Sequence, residues 1–411
     1  MDFWKIFPAK EELLKWYEKN GDEQVRLVNA HMHTPYSFSA FTDISQALNM
    51  AVNENVQVAG INDFYTTDGY PEWAEACAAR NIFPLFNIEY ISLNRDDQAA
   101  GIKVNDPNNP GRTYLSGKGL AFPAKLEEPY ASKLESVRIE SNLQVQKMCD
   151  KLNEALTNSN AGFKLDYEEI KSSMTKGMVR ERHLAKALRE KIYAQFVSAE
   201  DQQIFYKSVF GGKALKSDIG NFAAIENEIR GNLLKAGGAA FIPESPEAFL
   251  DMEMVCKIIL NSGGIPTYPF LADDNSGNFT EFEAPKETVI EILRKRNICS
   301  VEFITTRNSI AVLEEYADYF NNNGFVVTFG TEHNTPAMEP VELFARNNTP
   351  LSELLLAINY EGACITAAHQ YLVATKGIGY LDKDGKPDLS NRKSFSTLGK
   401  ALIEYLIKNK I

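Results

Sequence analysis

The sequence predicts an α/β fold: a barrel of strands alternating with helices, interrupted midway by a mainly helical cap. Three observations carry this expectation. Short apolar runs alternate with helical patterns between Val25 and Glu89. The rhythm stops after Tyr90 and returns near residue 250. Three of the five histidines, with Asp63, Glu89 and Glu332, fall where the apolar runs end, and in a parallel barrel those ends converge on one face.

Taken in order, VRLVNA (25–30), VQVAGIND (56–63) and FPLFNIEY (83–90) read as buried strands. DISQALNMAVNE (43–54) and PEWAEACAARN (71–81) read as the helices between them, with Pro71 suited to a first helical turn. The pattern resumes with strands GGIPTYP (263–269), CSVEFIT (299–305) and FVVTFGTE (325–332), and helices over 284–296 and 308–322. Residues 1–90 and 250–411 are therefore the expected barrel, and 91–249 the insertion. Within the insertion, DPNNPGR (106–112) is a turn-rich loop, TYLSGKGLAF (113–122) a hairpin strand, and 131–157 and 179–196 are helical. Leu184, Leu188, Ile192 and Phe196 recur every four residues as a packing stripe. The tail from 351 reads as helices separated by DKDGKPDLSN, which lacks the ligand spacing of a calcium loop and is a surface turn.

The chain has 411 residues, 44% hydrophobic and 24% charged, an ordinary globular composition for one large domain or a domain carrying an insertion. Lysine plus arginine number 43 against 55 acids, giving a net charge of -12. That sign excludes a protein that coats long nucleic acid or an anionic membrane. The five cysteines lie far apart without a C-x-x-C pair, as reduced thiols do. The start MDFWKIFPAKEELLKW lacks the features of a signal peptide, and no run of 18 apolar residues occurs, so a cytoplasmic location is expected. One basic patch stands out in this acidic chain: Lys176, Arg180, Arg182, Lys186, Arg189 and Lys191.

Only five histidines are present, and their placement directs attention to a metal. His31 and His33 leave the first strand, Asp63 ends the second, Glu89 ends the third, and Glu332 and His333 end the last. Alternate residues leaving a strand point the same way, so an H-x-H pair can offer two imidazoles to one ion. Asp63 either orients a histidine and accepts a proton from water, or hydrogen-bonds nearby amides. Glu302 reads as a solvated or ion-paired acid. Arg180, Arg182 and His183 suit a phosphate, with a solvated helix face as the plain alternative. Lys118 in SGKG suits an anion without forming a P-loop.

HMHTPYS (31–37), GINDF (60–64), NIEY (87–90), GGIPTYP (263–269), VEF (301–303) and GTEHNTP (330–336) resemble, in order and spacing, the motifs of the PHP family, named for polymerase and histidinol phosphatase. The resemblance covers residues 25–90 and about 250–340. It implies a distorted seven-stranded TIM-like barrel and metal-dependent phosphoester hydrolysis. MVRERHLAKAL (178–188) and FYKSVFGGKA (205–214) are similar to segments of the branch that cleaves nucleoside bisphosphates and short RNA ends.

Members of the family usually hold three ions, and the resemblance carries over unevenly. The first site implies His31, His33, Glu89 and Glu332 as ligands, with glutamate in place of aspartate. The remaining positions read Phe38, Phe64, Tyr114, Tyr268 and Asn334, which are poor ligands. The expectation is therefore one divalent ion (Zn, Mn or Fe), with Asp63 or His333 assisting proton transfer. His333, or His369 in TAAHQYL, could instead fill a vacancy among the ligands. Arg180, Arg182, His183 and Tyr268 would bind a small phosphorylated substrate. The alternative is a PHP-fold protein that has lost turnover and binds a small ligand in a more apolar pocket. An amidohydrolase shares H-x-H but usually needs further strand-end histidines, where Phe64 and Tyr268 stand here.

Overall fold

The computed structural model describes residues 3–409. Seven strands form one sheet in chain order: β1 (Leu27–Met32), β2 (Val56–Phe64), β3 (Phe83–Leu93), β4 (Arg112–Lys118), β5 (Ile265–Phe270), β6 (Ser300–Ile304) and β7 (Val326–Gly330). Strands β1 to β3 pair in parallel, as do β5 to β7, whereas β4 runs antiparallel to both its neighbours. The sheet is a nearly closed barrel. Its seam is stitched at the end of β1, where Met32 bridges Glu332. There the Glu332 N–H donates to the His31 carbonyl (2.9 Å) and the His33 N–H to the Glu332 carbonyl (2.7 Å).

The antiparallel β4 corrects two expectations. The barrel is not wholly parallel, and its fourth strand lies inside the stretch read as insertion. The chain turns back after β3 through a short helix and the Asp106 loop, so the pair needs no crossover helix and breaks the strand–helix rhythm on which the reading relied.

The helices in chain order are α1 (Lys10–Asn20), α2 (Ile44–Asn53), α3 (Tyr70–Ala78), α4 (Arg95–Ala100), α5 (Tyr130–Asn158), α6 (Tyr167–Met174), α7 (Glu181–Gln195), α8 (Ala199–Val209), α9 (Phe222–Ile229), α10 (Met252–Asn261), α11 (Lys286–Lys295), α12 (Ile310–Asn322), α13 (Glu353–Lys376) and α14 (Arg392–Lys408). Asp43 caps α2 by accepting from the Gln46 N–H, and Asp251 caps α10 in the same way through Met254.

Helix α13 crosses the barrel wall where Gly362 meets β7; a Cβ there would lie 1.9 Å from the Val327 carbonyl. Among the described residues three hydrophobic clusters result, the smallest formed by Ile265, Cys299, Val326, Ile365, Tyr380 and Leu381. Of the other two, one joins the barrel to its surrounding helices, and the second, within residues 145–240, belongs to the cap. Leu184, Leu188 and Ile192 of α7 are fully buried in the cap core, with Phe196 packed against it.

All five cysteines are free and buried. Among the described residues no helix is long and apolar enough to cross a membrane.

Candidate metal centre

The pleat of β1 turns His31 and His33 the same way, and Glu89 of β3 meets them. Their ligand atoms lie within 4.8 Å of one another, and all three side chains are buried. Glu89 Oε2 is 3.0 Å from His33 Nε2 and 3.6 Å from His31 Nε2, and the two imidazole Nε2 atoms are 3.3 Å apart. No donor is aligned with Glu89 Oε2.

The groups behind these atoms decide which nitrogens carry protons. His31 Nδ1–H donates to Glu302 Oε2 (3.0 Å), so Nε2 is the nitrogen turned toward Glu89 and His33. Ser37 spends its hydroxyl proton on Asp63 Oδ1 (2.6 Å), so its oxygen accepts from His33 Nδ1–H (3.2 Å), and His33 Nε2 is turned toward Glu89. Two imidazole nitrogens and a carboxylate oxygen therefore converge in a buried pocket. In the metal-free site the charge between them is a proton on His31, which a divalent ion would displace, and two imidazoles with a carboxylate suit Zn, Mn or Fe. Burial would lift the Glu89 carboxyl, but the two imidazoles draw it down to about 2. Burial would likewise depress His31, but the Glu302 carboxylate raises it to about 9. The residues present fit a divalent ion.

Glu332, the fourth expected ligand, does not join this set. It and His333 follow the end of β7 with φ of +65° and +57°, a left-handed turn that breaks the strand alternation on which the expectation rested. The Glu332 carboxylate is taken by Arg307 and by Asn334 Nδ2 (2.9 Å). His333 does not reach the metal group either. Its ring stacks on Phe41 with centroids 4.6 Å apart, and its nitrogens bond Thr331 Oγ1 (2.6 Å) and the Glu339 carbonyl (3.0 Å). Its expected part in proton transfer, or as a substitute ligand, finds no geometry here.

Asp63 lies on the opposite pleat from Asn62 and Phe64. It accepts from the Thr34 N–H (2.7 Å), Thr34 Oγ1 (2.5 Å) and Ser37, with His33 Nδ1 3.9 Å away. It thus shapes the loop after β1 and steadies His33 through Ser37, and it is not among the converging ligand atoms. Tyr268 is also turned away. Glu302, opposite Pro269 in the sheet, faces the barrel interior, so the pleat sends Tyr268 outward, where its hydroxyl donates to Glu283 (2.8 Å). The motif match placed that position one residue out of phase. His369 on α13 bonds the Gly263 carbonyl and the Tyr380 N–H, both at 2.8 Å, as a structural pin.

The start of the basic helix reaches the cleft between barrel and cap, with Arg180 and Arg182 among its lining residues. This cleft, of about 1230 Å3, is lined also by Glu89, Phe38, Phe64 and Tyr114, among others. The Arg180 guanidinium lies 4.8 Å above the Phe64 ring, which stacks on His33 at 4.9 Å. Arg182 lies 5.6 Å from the Phe38 ring. Neither arginine has a carboxylate within 4 Å among the described residues, whereas Arg112, Arg230 and Arg307 on the same cleft are paired. Burial and Arg230 lower Arg182 to about 10, so it keeps its charge at neutral pH. His183 has a different task. Its Nδ1 accepts the Arg180 N–H (2.9 Å) at the start of α7, its ring abuts Phe38, and burial depresses it to about 3.

Glu302, Lys118 and Asn62 carry more than the sequence suggested. Glu302 is fully buried beneath His31, bonded also to Lys118 Nζ (2.6 Å) and to Ser116. Asn62 sets its amide 2.9 and 3.1 Å from the two nitrogens of the His31 ring. The available signal was strand alternation: Asn62, Phe64 and Glu89 share the inner face, and a lone lysine ending a buried strand demands a partner.

No protein-family model matches the sequence, nor does any curated protein. Among solved structures, the chain is similar to a proposed metal-dependent phosphoesterase from Bifidobacterium adolescentis, with TM-score 0.52 and 14% identity over 82% of this chain and 96% of that one. It is also similar to an amidohydrolase from Chromobacterium violaceum carrying sulfate and no metal, with TM-score 0.49 and 16% identity over 81% and 96%. At such identity the phosphoesterase likeness is one of fold, and the fold is that of a TIM-like α/β barrel.

Proposed function

We propose that this chain is a metal-dependent hydrolase of PHP-like fold that cleaves a small phosphate ester, with His31, His33 and Glu89 holding one divalent ion. The observation that carries the proposal is the convergence of two imidazole nitrogens and a carboxylate oxygen beside two guanidiniums that lack a carboxylate partner. The ion would supply Lewis acidity at the phosphoryl group and acidify the attacking water. The chain supplies the rest. Arg180 and Arg182 grip the phosphate oxygens with charge-assisted forks. Glu302 holds the His31 proton at Nδ1, and Ser37 with Asp63 holds that of His33. Phe38, Phe64 and Tyr114 wall the cleft against water. The likeness to the Bifidobacterium protein supports this reading at the level of fold.

Metal analysis of the purified protein, paired with hydrolysis of p-nitrophenyl phosphate and small phosphomonoesters under Mn²⁺, Zn²⁺ or Fe²⁺, tests the proposal. One equivalent of ion per chain is expected, with both ion and turnover lost in His31→Ala/His33→Ala. A second reading draws on the aromatic residues around Glu89: a binding protein without turnover. No bound ion and no hydrolysis under any of the three metals would favour it.

A further inference from the structure

Beneath the three ligand atoms lies a second buried cluster, of which the proposed function uses Glu302 alone. Lys118 closes β4 with its side chain inside the barrel, 1% exposed. Each of its three ammonium protons has an oxygen: Glu302 Oε2 at 2.6 Å, and the Ala30 carbonyl and Asn62 Oδ1 at 3.3 Å each. The Glu302 oxygen that accepts from Lys118 also accepts from His31 Nδ1 (3.0 Å), and Ser116 holds the other. A buried ammonium is costly unless geometry of this quality compensates it, and hydrophobic residues would fill the same space at less cost. Its presence calls for a reason beyond packing.

Resting on the metal-site reading above, we propose that Lys118 is a positioning residue: it fixes Glu302, and through Glu302 fixes His31 with Nε2 turned toward the ion. Lys118 touches neither substrate nor ion. Its cradle of three oxygens is already filled by its own charge, so the side of His31 away from Glu89 offers no place for a second cation. Outer partners of metal-bound histidines set ring orientation and basicity, and their loss typically costs 10- to 100-fold in metal affinity.

The experiment titrates Co²⁺ into the metal-free full-length protein, following the visible absorption of the bound ion and the heat of binding. Lys118→Met is expected to weaken Co²⁺ binding 10- to 100-fold and to change the absorption bands, because His31 is no longer held in one orientation. Should Lys118→Met fail to fold, Lys118→Met/Glu302→Gln removes both charges together and is expected to fold. It too should bind Co²⁺ more weakly, with altered bands. Wild-type affinity and wild-type bands in whichever variant folds would overturn the positioning role and leave the metal site standing. Failure of the wild-type protein itself to bind Co²⁺ would overturn both.

Discussion

At the scale of single residues, the site separates groups that face the cleft from groups that only hold them. Arg180 and Arg182 face it, each over an aromatic ring and each without a carboxylate partner. A hydrogen bond to a charged group contributes about 1.5–3 kcal/mol, so Arg180→Ala and Arg182→Ala should each lower kcat/KM for a phosphomonoester about 10- to 100-fold. Steady-state kinetics beside a thermal melt check this, since the melt should move little. His183→Ala should do the reverse. It removes the acceptor for the Arg180 N–H at the start of α7, which costs about 1 kcal/mol of stability, as loss of a helix cap does. The sequence offered all three as one phosphate cluster, and it is burial within the cap that divides them.

At the scale of elements, three close approaches set the geometry. A Cβ on Gly330 of β7 would sit 2.2 Å from the His31 Cβ, and one on Gly399 of α14 would sit 1.8 Å from the Cys364 carbonyl. With Gly362, these glycines let β7, α13 and α14 lie against one another and against β1. Gly362→Ala and Gly399→Ala should each destabilise by about 1–3 kcal/mol in denaturant unfolding, the usual cost of overpacking. Gly330→Ala should in addition weaken metal binding, because it pushes on His31.

Helix α13 also carries a pH-sensitive pin. His369 donates to the Gly263 carbonyl and accepts from the Tyr380 N–H, so only the neutral ring satisfies both, and burial lowers it to about 4. The unfolded chain binds the proton nearer pH 6.5. The stability His369 confers is therefore complete above that value and is lost as pH falls toward 4, by up to about 3 kcal/mol. Urea midpoints at pH 7 and pH 5 should fall further apart in the wild-type protein than in His369→Gln.

At the scale of the whole molecule, the barrel and the cap have separate cores, and among the described residues the candidate metal group lies in the barrel. Saturation at about 100 times Kd stabilises a folded state by about 2.7 kcal/mol. Calorimetry should therefore show Mn²⁺ or Zn²⁺ raising the unfolding temperature of the barrel, with a chelator reversing the shift. Unfolding of the cap core, followed through Tyr193 and Tyr206 fluorescence in a variant lacking other reporters, should respond less. An equal shift for both cores would mean that cap and barrel unfold as one unit.

The barrel, its interruption and the H-x-H pair with Glu89 were legible in the residues, because buried strands and strand-end ligands leave a local pattern. The strand at 113–122 was legible as a hairpin strand, but its place in the barrel wall between β3 and β5 was not, since a run read as part of an insertion carries no local mark of the sheet it joins. Glu332, His333 and Tyr268 were misplaced for a related reason: a left-handed turn or a one-residue change of pleat reverses where a side chain points, and neither changes composition. That Glu302 and Lys118 pair beneath His31 was settled only in three dimensions, for the two stand 184 positions apart and a charge gains a buried partner only when the chain closes on itself.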